Sequence, residues 1–552
     1  MKNTKYDAIV VGSGATGGIA AKELAERGLK TLVLEAGPFL EEEKFQKAGG
    51  NFSSIGSASR IKAGLTGHHK QARASFYSED KAFLFVNDWD HPYTSSKDFF
   101  LFLRGKNVGG RFLSWGRVAL RMSDYAFKTK TKEGVGEDWP ISYSDIVPYY
   151  EKVEEFLGII GAEDNIPFVP NGKYIKTAGL STAEKEFKHT IETKWPERKV
   201  MPWRYVKKEA TPEDKNHNRI TSPLAAGLAT GNLEIRANAI VSKVNTDSQT
   251  GRATGVTYID AESKREHIVE ADVVMLCAST IETIRLMLHS AGGKHPHGLG
   301  NTSGTLGKYF MDQVPSWIFG SVPNHFGGEL VDADTPKDNH GGIYIPRFQN
   351  LDKHDYPAFK GGFNIQGIVG RPMVPPHMNS VFGLMGHGEM LPYKENCVSL
   401  HRSRKDKWGV PIPNINIRMY ENEINLLKAQ VQTQKEIVAE NGYKVDFAIS
   451  PLGISQEYDL LPDVPWYERL LFKLNYKKSV ALGAAIHECG GARMGDSPKD
   501  SVLNGHNQVW DAPNVFVTDS ACFPTNGSCG PTLTTMALTL RACEFIAKEF
   551  GK

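Results

Sequence analysis

An apolar run, Ile9-Val10-Val11, breaks into Gly12-Ser13-Gly14-Ala15-Thr16-Gly17, and a second apolar run, Thr31-Leu32-Val33-Leu34, ends on Glu35. Between them Ala20, Ala21, Leu24 and Ala25 recur at helical spacing, so the pattern predicts strand, tight turn, helix and strand. The stretch 40–100, poorly patterned and rich in Gly, Ser and Lys as far as about residue 80, reads as a wrapping or lid region. Periodicity returns after Pro140 and Ser142, where Ile146, Tyr149, Tyr150, Val153 and Phe156 fall three and four apart, as in the first helix of a second domain. Short strands are expected at Leu233 to Arg236, Ala253 to Ile259 and Ile268 to Leu276; Ala271 to Ala278 is nearly all apolar and fits a central parallel sheet.

Asn414-Ile415-Asn416-Ile417-Arg418-Met419 alternates, with Ile415, Ile417 and Met419 on one side and Asn414, Asn416 and Arg418 on the other. This predicts an antiparallel sheet with one wet face, the wall of a substrate cavity, whose polar side chains serve substrate or only water. Ile424, Leu427, Val431 and Val438 mark the covered face of the helix that follows. Near the carboxyl end, Asn514 to Val517 predicts a buried strand that delivers Asp519 to its carboxyl end. A turn then leads to Pro531, which opens a helix through Met536, Leu540 and Phe545.

The first turn carries chemistry. Gly12, Gly14 and Gly17, with Thr16 among them, let backbone amides approach a pyrophosphate, and Glu35 stands where a ribose diol can donate to it. A glutamate there, rather than an arginine, disfavours a 2′-phosphate and leaves NAD and FAD as candidates. The segment from Leu103 to Arg117 suits a loop laid against a planar ring, with Arg104, Asn107, Gly109, Gly110, Ser114 and Trp115 as candidate cofactor contacts.

At 552 residues the chain exceeds the size at which one core keeps growing, so two domains are expected. Its 65 basic and 63 acidic side chains nearly cancel, which argues against nucleic acid as a partner. No run of 18 apolar residues signals a transmembrane segment, and Met1 to Lys5 leads straight into the first strand without room for a signal-peptide core. Six cysteines, at 277, 397, 489, 522, 529 and 543, lack the spacing of a zinc or iron–sulfur site; they read mainly as buried thiols, and no metal is expected.

His487, just before the glycine-rich turn Cys489-Gly490-Gly491, can point an imidazole into a cavity and take a hydroxyl proton near neutral pH. Pro531 and Thr532 open a helix whose unpaired amides would stabilise the negative charge that a reduced isoalloxazine gathers at N1 and its C2 carbonyl.

The opening turn, Asn107-Val-Gly-Gly110, Gly300-Asn301 to Met311-Asp312, His487 with Arg493-Met494-Gly495, and Asn514 to Thr534 together resemble the glucose-methanol-choline oxidoreductase family over most of the chain. The resemblance implies FAD and an α/β fold: a Rossmann-like FAD-binding domain of glutathione-reductase type with an inserted α+β substrate domain on an antiparallel sheet. The FAD domain would comprise 1–125, 215–310 and 475–552, and the substrate domain 126–214 and 311–474. His487 would be the base that removes the alcohol proton as hydride passes to flavin N5. Glu35 would bind the ribose, Asp519 would lie near the ribityl chain, and Val241 would contact adenine through its backbone. Within the family, His487 to Met494 and Cys522 to Thr525 resemble bacterial glucoside 3-dehydrogenases and, more distantly, pyranose oxidases.

The implied reaction is oxidation of a secondary alcohol of a sugar or glycoside, at C3 to give a 3-keto-glycoside. His387, Glu389, Asn414, Asn416 and Arg418 are the candidate substrate contacts. An oxidase using oxygen and a flavin-bearing electron-transfer subunit are the alternatives within this frame, and a nicotinamide enzyme is a third reading. Related dehydrogenases imply an external acceptor (quinone, cytochrome or oxygen) and a small export subunit; the location is expected to be cytoplasmic if the chain acts alone and periplasmic if a partner carries it out.

Two departures stand out. The family places Asn or His just before the Pro-Thr of the last helix, where this chain has Gly530; Asn526, four residues upstream, either takes that role or stabilises a turn before Gly527. Ser114 stands where some pyranose oxidases carry the histidine linked to FAD, so the flavin is expected to be non-covalent.

Overall fold

The structure, a computed structural model, describes residues 5–47, 62–74, 77–96, 98–166, 168–207, 218–326, 341–351, 353–371, 379–456 and 466–551. Two sheets organise it. In the first, the strands Tyr6–Val11 and Thr31–Leu34 run parallel with Leu233–Arg236 outside them, and Glu266–Leu276 lies on the other side of Tyr6–Val11. The strand Glu266–Leu276 has two roles. Its carboxyl half is parallel to Tyr6–Val11 and to Ala512–Val517, with Val11 opposite Leu276 and Leu276 opposite Val517. Its amino half is the edge of an antiparallel ribbon with Ala253–Asp260 and Ala239–Thr246. The carboxyl ends therefore align, and the residues just beyond them, Gly12, Glu35, Cys277 and Asp519, share one edge, where ligands bind in open α/β sheets.

The helix Ala15–Glu26 covers this sheet through the expected stripe, with Ala20, Ala21, Leu24 and Ala25 fully buried. The terminal helix Thr532–Phe550 packs beside it, and Pro531 stands at its amino end. Tyr143–Leu157 forms a helix with Ser142 and Asp145 in a capping box. It lies against the terminal helix, where the Tyr150 hydroxyl meets Thr534 Oγ1 at 2.7 Å. Although the sequence assigns this helix to the inserted part, its packing is with the cofactor-side layer.

The second sheet is antiparallel and seven-stranded; at its centre Val314–Phe326, Asn379–Gly388 and Phe363–Val369 lie side by side. One face is dry. Phe363, Ile365, Phe382 and Leu384 pack with Leu426, Ile437 and Val438 of the helix Glu421–Glu440. Because side chains alternate, Asn364, Gln366, Met385 and His387 face the other way, toward the first sheet.

The alternating segment at 411–416 belongs elsewhere, to a small three-stranded sheet with Cys397–Lys405 and Thr94–Ser95. Over 414–419 the alternation is as expected, with Ile415 and Ile417 buried and Met419 half-buried, but its wet face borders solvent and neighbouring loops. Five of the six cysteines are buried and all six are free. Among the described residues no helix is long and apolar enough to cross a membrane, and no group of three or more metal-ligating side chains occurs.

Candidate active site

A cavity of 1230 Å³ runs from the aligned strand ends of the first sheet to the open face of the second. Pockets for drug-sized ligands occupy roughly 300–1,000 Å³, so this one has room for a dinucleotide and a further small molecule. At one end lies the glycine turn. Gly12 has φ +93°, and a Cβ there would come within 2.6 Å of the Cys277 carbonyl; a Cβ on Gly17 would strike the Gly12 carbonyl at 2.0 Å. Gly14 differs, because a Cβ there meets nothing within 4 Å and would project into the space a phosphate needs.

Glu35 closes the next position. Its carboxylate accepts from the Ser13 amide (3.0 Å), the Ser13 hydroxyl (2.6 Å) and the Gly37 amide (3.0 Å), and burial raises its pKa. Ser13 Oγ also accepts from the Gly109 amide at 2.9 Å, which stitches the loop after Leu103 onto the turn. Arg104, Gly110, Ser114 and Trp115 of that loop line the cavity; Asn107 and Gly109 stand behind the wall and shape it. Gly12, Gly14, Thr16, Glu35 and Val241 also line it, and Gly17 packs behind.

Asp519 lines the cavity beyond the strand Ala512–Val517, where it accepts from Thr283 Oγ1 and, at 3.0 Å, from the Ala521 amide. Burial raises its pKa to about 6. Pro531 and Thr532 bring the positive end of the terminal helix to the same wall. These features fit FAD: an open cradle at Gly14, a carboxylate at the ribose position and a helix amino end further along.

At the far end His487 lies against the second sheet. Its Nδ1 meets Gln313 Oε1 at 2.6 Å. The Gln313 amide nitrogen is committed to the carbonyls of Gly527 (2.8 Å) and Cys529 (3.0 Å), so the oxygen facing the ring only accepts. The ring therefore carries its hydrogen on Nδ1 and a lone pair on Nε2. The backbone of His487 is held as well, since Asp312 Oδ1 accepts its amide at 3.1 Å and Oδ2 accepts the Gly483 amide at 2.5 Å. Burial lowers the His487 pKa well below the ordinary value, and His387 and Arg111 add to this. Arg111 lines the cavity and bridges Glu488 (3.1 Å) and Ser279 Oγ (2.8 Å).

Several expected contacts lie off the cavity. Asn526 is buried off the cavity lining, where it donates to the Asp312 carbonyl at 3.1 Å, and Gly527 follows with φ +58°. Glu389 falls beyond the end of the strand Asn379–Gly388, where alternation no longer governs direction. It pairs instead with buried Arg347 at 3.0 Å, which also binds Glu133 at 2.9 Å. Asn414 accepts from Thr94 at 2.8 Å, Asn416 donates to the Glu395 carbonyl at 2.9 Å, and the Arg418 guanidinium lies 4.4 Å from the Tyr420 ring centre. Of the expected substrate contacts, His387 alone lines the cavity. Sequence reasoning missed Gln313, Arg111 and Asn364; Gln313 directly follows the Met311-Asp312 motif, but nothing local connects it to a ring 174 positions away.

The fold and the site define an oxidoreductase that uses FAD and acts on alcohol groups. The chain belongs to the GMC oxidoreductase family, whose models match residues 6–314 and 392–539. It is 26% identical to 2-methyl-1,2-propanediol dehydrogenase of Mycolicibacterium austroafricanum, over 99% of this chain and 96% of that protein. It is 25% identical to the gluconate 2-dehydrogenase flavoprotein of Pantoea cypripedii, over 99% and 94%. A formate oxidase from Aspergillus oryzae, solved in a study of FAD modification, shares the fold with a TM-score of 0.66 at 14% identity, over 100% of this chain and 99% of that one.

Proposed function

We propose that the chain dehydrogenates a secondary alcohol of a sugar or glycoside, with the C3 hydroxyl as the reacting group, and holds its FAD non-covalently. The observation that carries this reading is the His487 Nε2 lone pair, fixed by Gln313 on a cavity wall shared with the glycine turn and the terminal helix. FAD, when bound, supplies the two-electron acceptor. His487 Nε2 takes the hydroxyl proton, and the resulting imidazolium strengthens its Nδ1–H bond to Gln313 Oε1. The amino end of the helix Thr532–Phe550 offers positive potential to negative charge that develops in the cavity. The propanediol and the gluconate in the relatives' names support a hydroxyl-rich substrate. Ser114, which cannot form the histidyl bond, supports free FAD. The final electron acceptor would be an external quinone, cytochrome or oxygen.

The test is anaerobic bleaching of the yellow protein by a panel of sugars, methyl glycosides and simple alcohols, followed by product regiochemistry. Bleaching by a glycoside with a 3-keto product is expected, and acid precipitation should leave the flavin in the supernatant. Unchanged absorbance with every polyol would refute alcohol oxidation, and a yellow pellet would refute non-covalent binding.

A further inference from the structure

The antiparallel sheet brings a second imidazole to the cavity wall beside the first. His387 and His487 have ring centroids 5.2 Å apart with planes 42° apart, and both line the cavity. Asn364, directly opposite His387 on the neighbouring strand, donates its amide hydrogen to the Ser528 carbonyl. Its oxygen is thereby turned toward His387 Nδ1, at 3.4 Å. This repeats the Gln313 arrangement, so each ring has hydrogen on Nδ1 and a lone pair on Nε2. Neither Nε2 has a protein hydrogen-bond partner among the described residues. Burial keeps both rings neutral, with His387 lowered to about 4. Gly530 keeps the space open, since a Cβ there would approach His487 Nε2 to 3.3 Å.

Two acceptors facing one cavity call for two donors from the molecule that fills it. A single hydroxyl has one hydrogen, so a simple alcohol satisfies one ring and leaves the other unmet, which disfavours it. We propose that the two Nε2 atoms clamp a vicinal diol: His487 receives the hydroxyl being oxidised and His387 accepts from the hydroxyl on the adjacent carbon. Rings 5.2 Å apart let each nitrogen reach its own oxygen at about 2.8 Å while the two oxygens stay on neighbouring carbons. The clamp rests on the reading of His487 as the base and adds the feature that makes the site choose polyols.

The test uses the holoenzyme with methyl glucoside and its 2-deoxy and 4-deoxy analogues, in wild type, His387→Leu and His387→Gln. In wild type, one deoxy analogue should reduce the flavin with kcat/KM about 10²-fold or more below the parent. In His387→Leu the parent should fall to within about threefold of that analogue, with flavin content and melting temperature kept, and His387→Gln, which retains an acceptor, should recover part of the difference. Equal efficiency for all three glucosides in wild type, or an undiminished preference in His387→Leu, would overturn the clamp. A second readout needs no turnover. ¹⁵N-histidine NMR of the wild type, assigned with the His387 and His487 variants, should find Nδ1–H at both rings, and Nε2–H at either would overturn the clamp. If no polyol bleaches the flavin, the oxidation reading fails, and the tautomers alone decide the clamp.

Discussion

A His487→Ala protein keeps its flavin and its yellow colour but reduces it with the best glycoside roughly 10²–10⁴-fold more slowly, the range general-base catalysis supplies. The flavin stays because the ring contributes nothing to the glycine turn, to Glu35 or to Asp519, and Asp312 holds the loop through backbone amides that alanine retains. The wild-type pH profile gives a second check. Burial lowers the His487 pKa, so the ring is already neutral at and below the ordinary histidine value. The rate should therefore be full at pH 7 and fall only as pH drops beneath about 6.5, where an unperturbed imidazole would already be half protonated. Stopped-flow reduction across pH measures both. Undiminished reduction by His487→Ala would remove the assigned base.

The cofactor end of the molecule was legible because its signals are local. A strand, three glycines, an alanine-rich helix stripe and an acid after the next strand occupy one short segment, and each has a steric or electrostatic reason readable in sequence order. The substrate end is assembled from distant segments. Asn414 and Asn416 misled because alternation marks any half-buried sheet and does not say which sheet faces the cavity. Glu389 misled because its direction depends on where a strand ends, at Gly388. Asn526 stayed ambiguous because a turn asparagine and a catalytic one look alike in sequence. His487 was visible from its glycine-rich surroundings, whereas Gln313 and Asn364, which set the tautomers, act across long sequence separations.

The largest structural effect is expected at Asp312. Its carboxylate, fully buried, joins the Gly483 and His487 amides to one point, so the residues that line the cavity from Ala484 to His487 hang between two anchors. Asp312→Ala leaves two buried amides without acceptors, at about 1–3 kcal/mol each, and frees the base-bearing loop. Stability should fall by several kcal/mol, on the order of 3 or more, and the reduction rate should fall further than flavin content does. Asp312→Asn keeps one acceptor and should lose about half as much. The pH dependence has a definite sign. Burial, and then Glu488, raise the Asp312 pKa to about 7, above the unfolded value, so the native state binds the extra proton. The stability this contributes is present below the unfolded value near 3.8 and is lost as pH rises through about 7. Asp312→Asn cannot ionise there, so its deficit relative to wild type should narrow between pH 4 and 8, as measured by denaturant unfolding. A deficit that widens with pH would mean that the ionised carboxylate is the stabilising form, and that the two amides outweigh the cost of burying its charge.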